Sequence, residues 1–310
     1  MNLNHENVIN IKNVPSLPSL LFKVGLKRSS VKDYSVTPIL PNVQINLENI
    51  VIDKANYALF HNVVGWQSDH NIVHPCFLHA LVFPLHLKLF LHSDFPFPII
   101  GLVHIRNQIE QFRPVGKGES LSVTCCFDKV EIHPKGWLFS IGVNFYNETS
   151  LVWKSFSTYL FRTKHKSLST SFKEILDEEF VSSYNTCWDL DANLGRRYAR
   201  ASGDFNPIHL TSWMAKMFGF KRHITHGMWT KSYSISALQK NDPTLFYQGV
   251  KVDAEFKKPL FLPNQATFSL QQSPLNNAFE GSLFAVRSTD IQDAKPNSRV
   301  THLLGCISTI

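Results

Sequence analysis

Hydrophobic and polar positions along the chain run through one pattern twice. In the second half, "SYNTCWDL" alternates as a short strand and passes into a helical period over roughly residues 191–202. A polar loop follows, and then a second helix beginning near Gly227 in "HGMWTKSYSISALQK". Beyond it, Val250, Val252, Ala254 and Phe256 alternate with polar neighbours, which is strand periodicity ended by a Pro-bearing turn. Two more strand-like runs, "GSLFAVRS" and "RVTHLLGCIST", finish the chain. The first half runs likewise. "VQINLENIVIDKANYALFHNVVG" predicts strand and helix, "HPCFLHALVFPLHLKLFLHS" a buried helix, and "GLVHIRNQIEQ", "LSVTCCFDKVEI", "GWLFSIGVNFY" and "LVWKSFSTYLF" four strands.

The two rounds can be set in register. Tyr57 matches Tyr198, His74-Pro75 matches His226-Gly227, and Gly101 matches Gly249, which leaves the second half about eleven residues longer between its helices. The pattern predicts an α+β protein in which antiparallel sheet wraps helix, duplicated as a pseudo-dimer whose halves cover each other's sheet edges. The expected boundaries are an N-terminal domain over 1–163, a hydrophilic linker over 164–179 and a C-terminal domain over 180–310. The first thirty or so residues fit neither round.

Composition narrows the function classes. With 44% hydrophobic and 18% charged residues the chain is globular, and its 24 Phe favour strand-rich cores. The formal charge is +7, but Lys and Arg are scattered. No basic run, zinc-finger spacing or RNA-reading aromatic motif is present, so nucleic acid is not expected and a phosphate-bearing small ligand or carrier is. The five cysteines form no C-x-x-C pair and read as buried thiols of a reducing compartment. The N-terminus lacks a signal layout, and the most apolar stretch, 72–91, carries three His, a Lys and two Pro. Membrane insertion is not expected, and the cytoplasm is the expected location.

The extra residues of the second half hold the candidate chemistry. In "SGDFNPIH" the turn formers Ser202, Gly203, Asp204 and Asn206 precede Pro207, and Asp204 and His209 flank the turn. A carboxylate beside an imidazole can accept a proton, deliver one and hold a water between them. On spacing alone, the more ordinary reading has Asp204 as a turn former or helix cap and His209 as a satisfied histidine. A metal set of His209, His223 and His226 matches no standard zinc spacing. If Gly227 opens the central helix, its N–H is an unpaired donor that could hold a carbonyl oxygen gaining negative charge. Its counterpart, Pro75, has no N–H. One working half and one degenerate half follow from those two differences.

The stretch "YARASGDFNPIHLTSWMAKMFGFKRHITHGMWTKSYSISAL" closely resembles the signature of the MaoC-like dehydratases, the (R)-specific enoyl-thioester hydratases. The motif spans about forty residues: Tyr-Ala, then Ser-Gly-Asp-x-Asn-Pro-x-His, a Gly-Phe, and Ile-x-His-Gly-Met. The whole chain resembles the two-domain members, built as a double hot dog. The resemblance implies that Asp204 and His209 are the catalytic acid–base pair, that Asn206 orients the loop and its water, and that the Gly227 N–H receives the thioester carbonyl. Ser202, Gly203, His226 and Met228 are implied as substrate-binding neighbours. It implies interconversion of trans-2-enoyl and (R)-3-hydroxyacyl thioesters of coenzyme A or acyl carrier protein, in fatty-acid or related lipid metabolism. No metal or other cofactor is implied, a homodimer is allowed, and the degenerate half would accommodate the acyl chain. Two other readings remain: a hot-dog acyl thioesterase, told apart by release of free thiol, and a non-catalytic acyl-thioester-binding module, which would bind without turnover.

Overall fold

A computed structural model describes residues 7–27, 36–67, 71–163, 182–271, 281–289 and 299–310; the linker expected at 164–179 lies outside them. The elements in chain order are β1 (Asn7–Ile11), α1 (Leu17–Leu26), β2 (Val43–Val51), α2 (Lys54–Val64), α3 (Phe77–Phe90), β3 (Val103–Gln111), β4 (Ser120–His133), β5 (Gly136–Asn147) and β6 (Ser150–Arg162). Then come β7 (Tyr184–Leu190), α4 (Leu194–Ser202), a 3-10 turn (Pro207–His209), α5 (Ser212–Met217), α6 (Gly227–Asn241), a second 3-10 turn (Leu245–Tyr247), β8 (Val250–Phe256), β9 (Asn264–Gln271), β10 (Ser282–Thr289) and β11 (Arg299–Thr309). From β2 to β6 and from β7 to β11 the order is strand, helix, helix and four strands, apart from the insert holding the first 3-10 turn and α5.

Strand order repeats as well. The first round lies β2-β4-β5-β6-β3 and the second β7-β9-β10-β11-β8, which is one topology used twice. Pairing is antiparallel from β2 through β4 and β5 to β6, and from β7 through β9, β10 and β11 to β8. A long helix against an antiparallel sheet, present twice, is the double hot dog fold. The N-terminal residues add an edge strand: β1 pairs with β2 in parallel, Asn7 opposite Val43.

By contacts the chain divides into two compact units. The first comprises Met1–Ile52, Leu81–Ile109 and Gly118–Glu174. Its core is a phenylalanine cluster. Phe95 stacks on Phe127 at 5.4 Å between ring centres, Phe97 on Phe139 at 5.2 Å, and Phe139 on Tyr159 at 5.5 Å. Residues 136–143 of β5 are buried in an unbroken run, as expected of a strand covered on both faces.

The second unit comprises Asp53–Ala80, Glu110–Lys117 and Ile175–Ile310, so α2 belongs to it with the whole second round. The central helix α6 is buried almost throughout, even at Lys231, whose Nζ donates to the Val252 carbonyl at 3.1 Å. Trp229 stacks on Tyr233 at 4.8 Å, and Trp188 meets the Tyr233 ring edge-on at 4.7 Å. The Trp229 indole donates to the Val63 carbonyl at the end of α2 at 3.0 Å, while Phe60 of α2 meets Tyr198 of α4 at 5.9 Å. His74 accepts the Cys76 N–H on Nδ1 at 2.9 Å, so its Nε2–H donates to the Ser232 carbonyl of α6 at 3.0 Å. In β8 the apolar alternation is as expected, but Asp253 and Glu255 are buried too.

Phe139 touches most of the aromatic core of the first unit and is 1% exposed. Phe139→Ala should lower unfolding free energy by about 3–5 kcal/mol, measured by chemical denaturation.

Candidate active site

The site is assembled from two strings of short contacts. The first starts at the end of α4. Gly203 adopts a left-handed φ of 77° and returns its N–H to the Ala199 carbonyl at 2.8 Å, which ends the helix where few other residues could. The Ser202 hydroxyl donates to the Tyr198 carbonyl at 2.9 Å and accepts the Asp204 N–H at 3.2 Å. Asp204 Oδ1 accepts the Asn206 N–H at 3.2 Å, and Asn206 Oδ1 accepts the Ile208 N–H at 3.4 Å. Those two side-chain-to-backbone turns, with Pro207 at the first position, wind Pro207–His209 into its 3-10 turn. Arg196 of α4 then donates to the Leu210 carbonyl at 3.0 Å.

The second string leads into α6. The Ile224 N–H donates to the Ile208 carbonyl at 3.1 Å and the Thr225 N–H to the Leu260 carbonyl at 2.8 Å, fixing the approach of His226. His226 is the N-cap of α6 and Gly227 its first residue. The Gly227 N–H is one of the helix's unpaired first-turn donors. A Cβ at Gly227 would come within 2.8 Å of the Phe256 ring, so the aromatic ring occupies the space that glycine leaves. Met228, next along, is buried, and its carbonyl accepts the Ser232 hydroxyl at 2.6 Å.

The two strings meet at the histidines. His209 Nδ1 faces the Ile224 carbonyl at 2.9 Å, which requires the proton on Nδ1 and leaves the lone pair on Nε2. His226 Nε2 donates to the backbone carbonyl of Asp204 at 2.9 Å. The two imidazoles stack with centroids 3.7 Å apart and planes inclined by 27°. Polar side-chain atoms of Asp204, His209 and His226 all lie within 4.8 Å of one another. Among the described residues this is the one group of His, Cys, Asp and Glu close enough to ligate a metal ion. His223 stands apart from it, bonded to Ser212 Oγ at 2.8 Å and the Ala192 carbonyl at 2.9 Å.

Burial sets the protonation states. Loss of hydration lowers His209 to about 3, helped by the neighbouring His226, while Asp204 and the Ile224 carbonyl pull the other way. Desolvation likewise lowers His226 to about 4. The Asp204 carboxyl is raised by desolvation, against the opposing pull of His209 and the Asn206 N–H. At neutral pH both imidazoles are therefore uncharged, and Asp204 holds a proton more readily than a surface carboxylate. The site can accept a proton on His209, give one from Asp204 and offer an amide N–H to a developing oxyanion.

Of the residues singled out in the sequence, Asp204, His209 and His226 converge. Ser202, Gly203 and Asn206 shape the loop that carries the first two, and Gly227 and Met228 open the helix behind it. Sequence reasoning missed Gly195. A Cβ there would sit 2.0 Å from the His209 carbonyl oxygen, so α4 approaches the 3-10 turn only because residue 195 has none. A glycine inside a helical period was the available signal. The helix α5 was missed as well, because six residues are too few to show a period.

A family model described as the MaoC like domain matches residues 182–293. The chain is 31% identical over 231 residues to 3-hydroxyacyl-thioester dehydratase X of Mycobacterium tuberculosis, covering 74% of this chain and 80% of that protein. It is 41% identical over 70 residues to the peroxisomal multifunctional enzyme type 2 of Drosophila melanogaster, covering 21% of this chain and 11% of the other. The crystal structure of HtdX of Mycobacterium tuberculosis superimposes with a TM-score of 0.68 at 26% identity, covering 86% of this chain and all of that one.

Two outcomes test this geometry. Gly195→Ala should force α4 and the His209 turn apart, costing about 1–3 kcal/mol of stability and lowering the affinity or turnover of any ligand held by His209. Stability should also depend on pH. Both imidazoles protonate near 6.5 when unfolded but only near 3 and 4 when folded. Their folded-state values are depressed, so the unfolded chain binds more protons and stability falls as pH drops below 6.5. Each group contributes a slope of up to about 1.4 kcal/mol per pH unit. Denaturation midpoints taken between pH 7 and pH 4 should show a shallower fall for His226→Gln than for the wild type.

Proposed function

The chain belongs to the MaoC-like dehydratase family, and we propose that it interconverts trans-2-enoyl and (R)-3-hydroxyacyl thioesters by adding and removing water. The observation that carries this reading is the approach of the Asp204 carboxyl to His209, whose lone pair is fixed on Nε2. In hydration, His209 Nε2 takes a proton from water as the water oxygen bonds to C3. The C2–C3 π electrons move toward the thioester oxygen, where the Gly227 N–H meets the enolate charge; one such donor contributes on the order of 3 kcal/mol. Collapse of the enolate takes a proton onto C2 from Asp204. The imidazolium and carboxylate left behind lie within 4.8 Å, and proton return between them resets the pair. Dehydration runs the same steps backwards.

In this reading Asn206 and Ser202 act by holding the loop, since their side chains are bonded to backbone there. The N-terminal half, 1–163, takes the acyl chain, and the C-terminal half, 180–310, carries the chemistry. The carrier is coenzyme A or acyl carrier protein, and the reaction serves fatty-acid or related lipid metabolism. None of the five cysteines is joined in a disulfide, which suits a reducing compartment, and we place the protein in the cytoplasm. No described helix is long and apolar enough to cross a membrane.

The test is hydration of trans-2-enoyl thioesters of both carriers, followed by loss of conjugated-thioester absorbance. The wild type should form the (R)-3-hydroxy product. Asp204→Asn and His209→Gln should each lower kcat by about 10²–10⁴-fold without loss of fold. Release of free thiol instead of hydration would assign the site to thioester hydrolysis, and binding of both carriers' thioesters without turnover would exclude catalysis.

A further inference from the structure

The insert present only in the second round does more than carry the acid–base loop. On α5, Trp213, Lys216 and Met217 stand at i, i+3 and i+4 and therefore share one face. Trp213 is 64% exposed and Met217 73%, and Phe218, next in the chain, is 42% exposed. Of the six tryptophans in the chain, the other five are buried, none more than 6% exposed. Single exposed apolar residues are ordinary, but an exposed Trp, Met and Phe within six positions form a contiguous apolar tip.

The charged residues of the segment that carries this tip are nearly all basic. From Ala192 to Asn241 the sequence has eight Lys and Arg and a single carboxylate, Asp204, which is committed to the loop. Lys216 and Lys221 are exposed, as is Arg200 on α4. None of these three has an ion-pair partner among the described residues. Arg196, by contrast, fastens Leu210, the residue that joins the His209 turn to α5.

We propose that α5 and the turn after it form a docking surface for an anionic lipid bilayer, with Trp213, Met217 and Phe218 at headgroup depth and Lys216 and Lys221 on the lipid phosphates. An indole is suited to the membrane interface because its ring is apolar and its N–H polar. Unpaired cations beside an apolar tip add attraction to anionic headgroups, and neither contribution needs a fixed register of polar partners. This is adsorption to the surface and requires no spanning helix. It does not depend on the proposed reaction. If that reaction holds, adsorption brings the catalytic loop to the phase in which long acyl thioesters collect.

The test uses the full chain without substrate. Vesicles of phosphatidylcholine, with and without phosphatidylserine, are sedimented with the protein, and brominated phosphatidylcholine serves as a quencher of tryptophan fluorescence. Because the other tryptophans are buried, quenching reads Trp213. The proposal expects binding that requires phosphatidylserine and weakens with salt, with quenching that disappears in Trp213→Phe. The double variant Trp213→Ala with Met217→Ala should bind about tenfold or more weakly, as should Lys216→Glu with Lys221→Glu. Turnover of a short, water-soluble enoyl thioester should be unchanged in these exposed-residue variants. Absence of vesicle binding, or binding indifferent to both double variants, overturns the proposal. So does a dimer that the Trp213 and Met217 changes dissociate, which would assign the tip to a second copy. Saturable binding to an acidic carrier protein, lost in the same variants and not accompanied by vesicle binding, would assign it to a protein partner and also overturn it.

Discussion

The His226 imidazole joins the parts on which the site depends. Its Nε2–H holds the backbone of Asp204, its ring lies against His209, and its backbone caps the helix whose first amide is Gly227. Proton transfer needs reacting groups placed to within a fraction of an ångström, and loops alone rarely achieve that. Here the loop is bonded to itself through Ser202, Asp204 and Asn206, and is then fastened to the most deeply buried helix of its unit through one aromatic ring. The tautomers follow from the same contacts. Each histidine gives a proton to a backbone carbonyl, a role that the neutral ring fills.

That arrangement costs stability. Two imidazoles and a carboxyl removed from water favour their neutral forms, and the stacked rings would repel each other if both were charged. The cost is offset by packing elsewhere in the unit, where Trp188 of β7 meets the stacked Trp229 and Tyr233 rings of α6 and His74 braces the helix at Ser232. The desolvation that destabilises the charged forms also makes His209 an uncharged base at neutral pH and raises Asp204 toward holding a proton. Stability and chemistry are set by the same burial.

Much of this was legible in the sequence, for identifiable reasons. The second-round helices and strands carry clean periodicity, and the Asn-Pro turn and the His-Gly pair bracket the site because turn formers and helix starts have local signals. The match of Tyr57 to Tyr198 foretold a repeat, and the repeated strand order bears out the duplicated fold. What the sequence hid was non-local. The stacking of His226 on His209 joins residues seventeen apart through two strings of backbone bonds. The place of Gly195 depends on a carbonyl fourteen residues on. The edge strand β1 and helix α1 were unassigned because β1 is five residues long and takes its meaning from pairing with β2. β9 went unread, because the Pro-bearing segment before it reads as the end of β8 and does not mark where a new strand begins.

The most direct measurement is a crystal structure with an (R)-3-hydroxyacyl thioester bound to the His209→Gln protein. The C3 hydroxyl should lie within hydrogen-bond reach, about 2.6–3.2 Å, of the residue at position 209, with C2 facing the Asp204 carboxyl. The thioester oxygen should lie on the Gly227 N–H. A ligand whose C2 and C3 lie away from Asp204, or whose carbonyl rests on another donor, would contradict it.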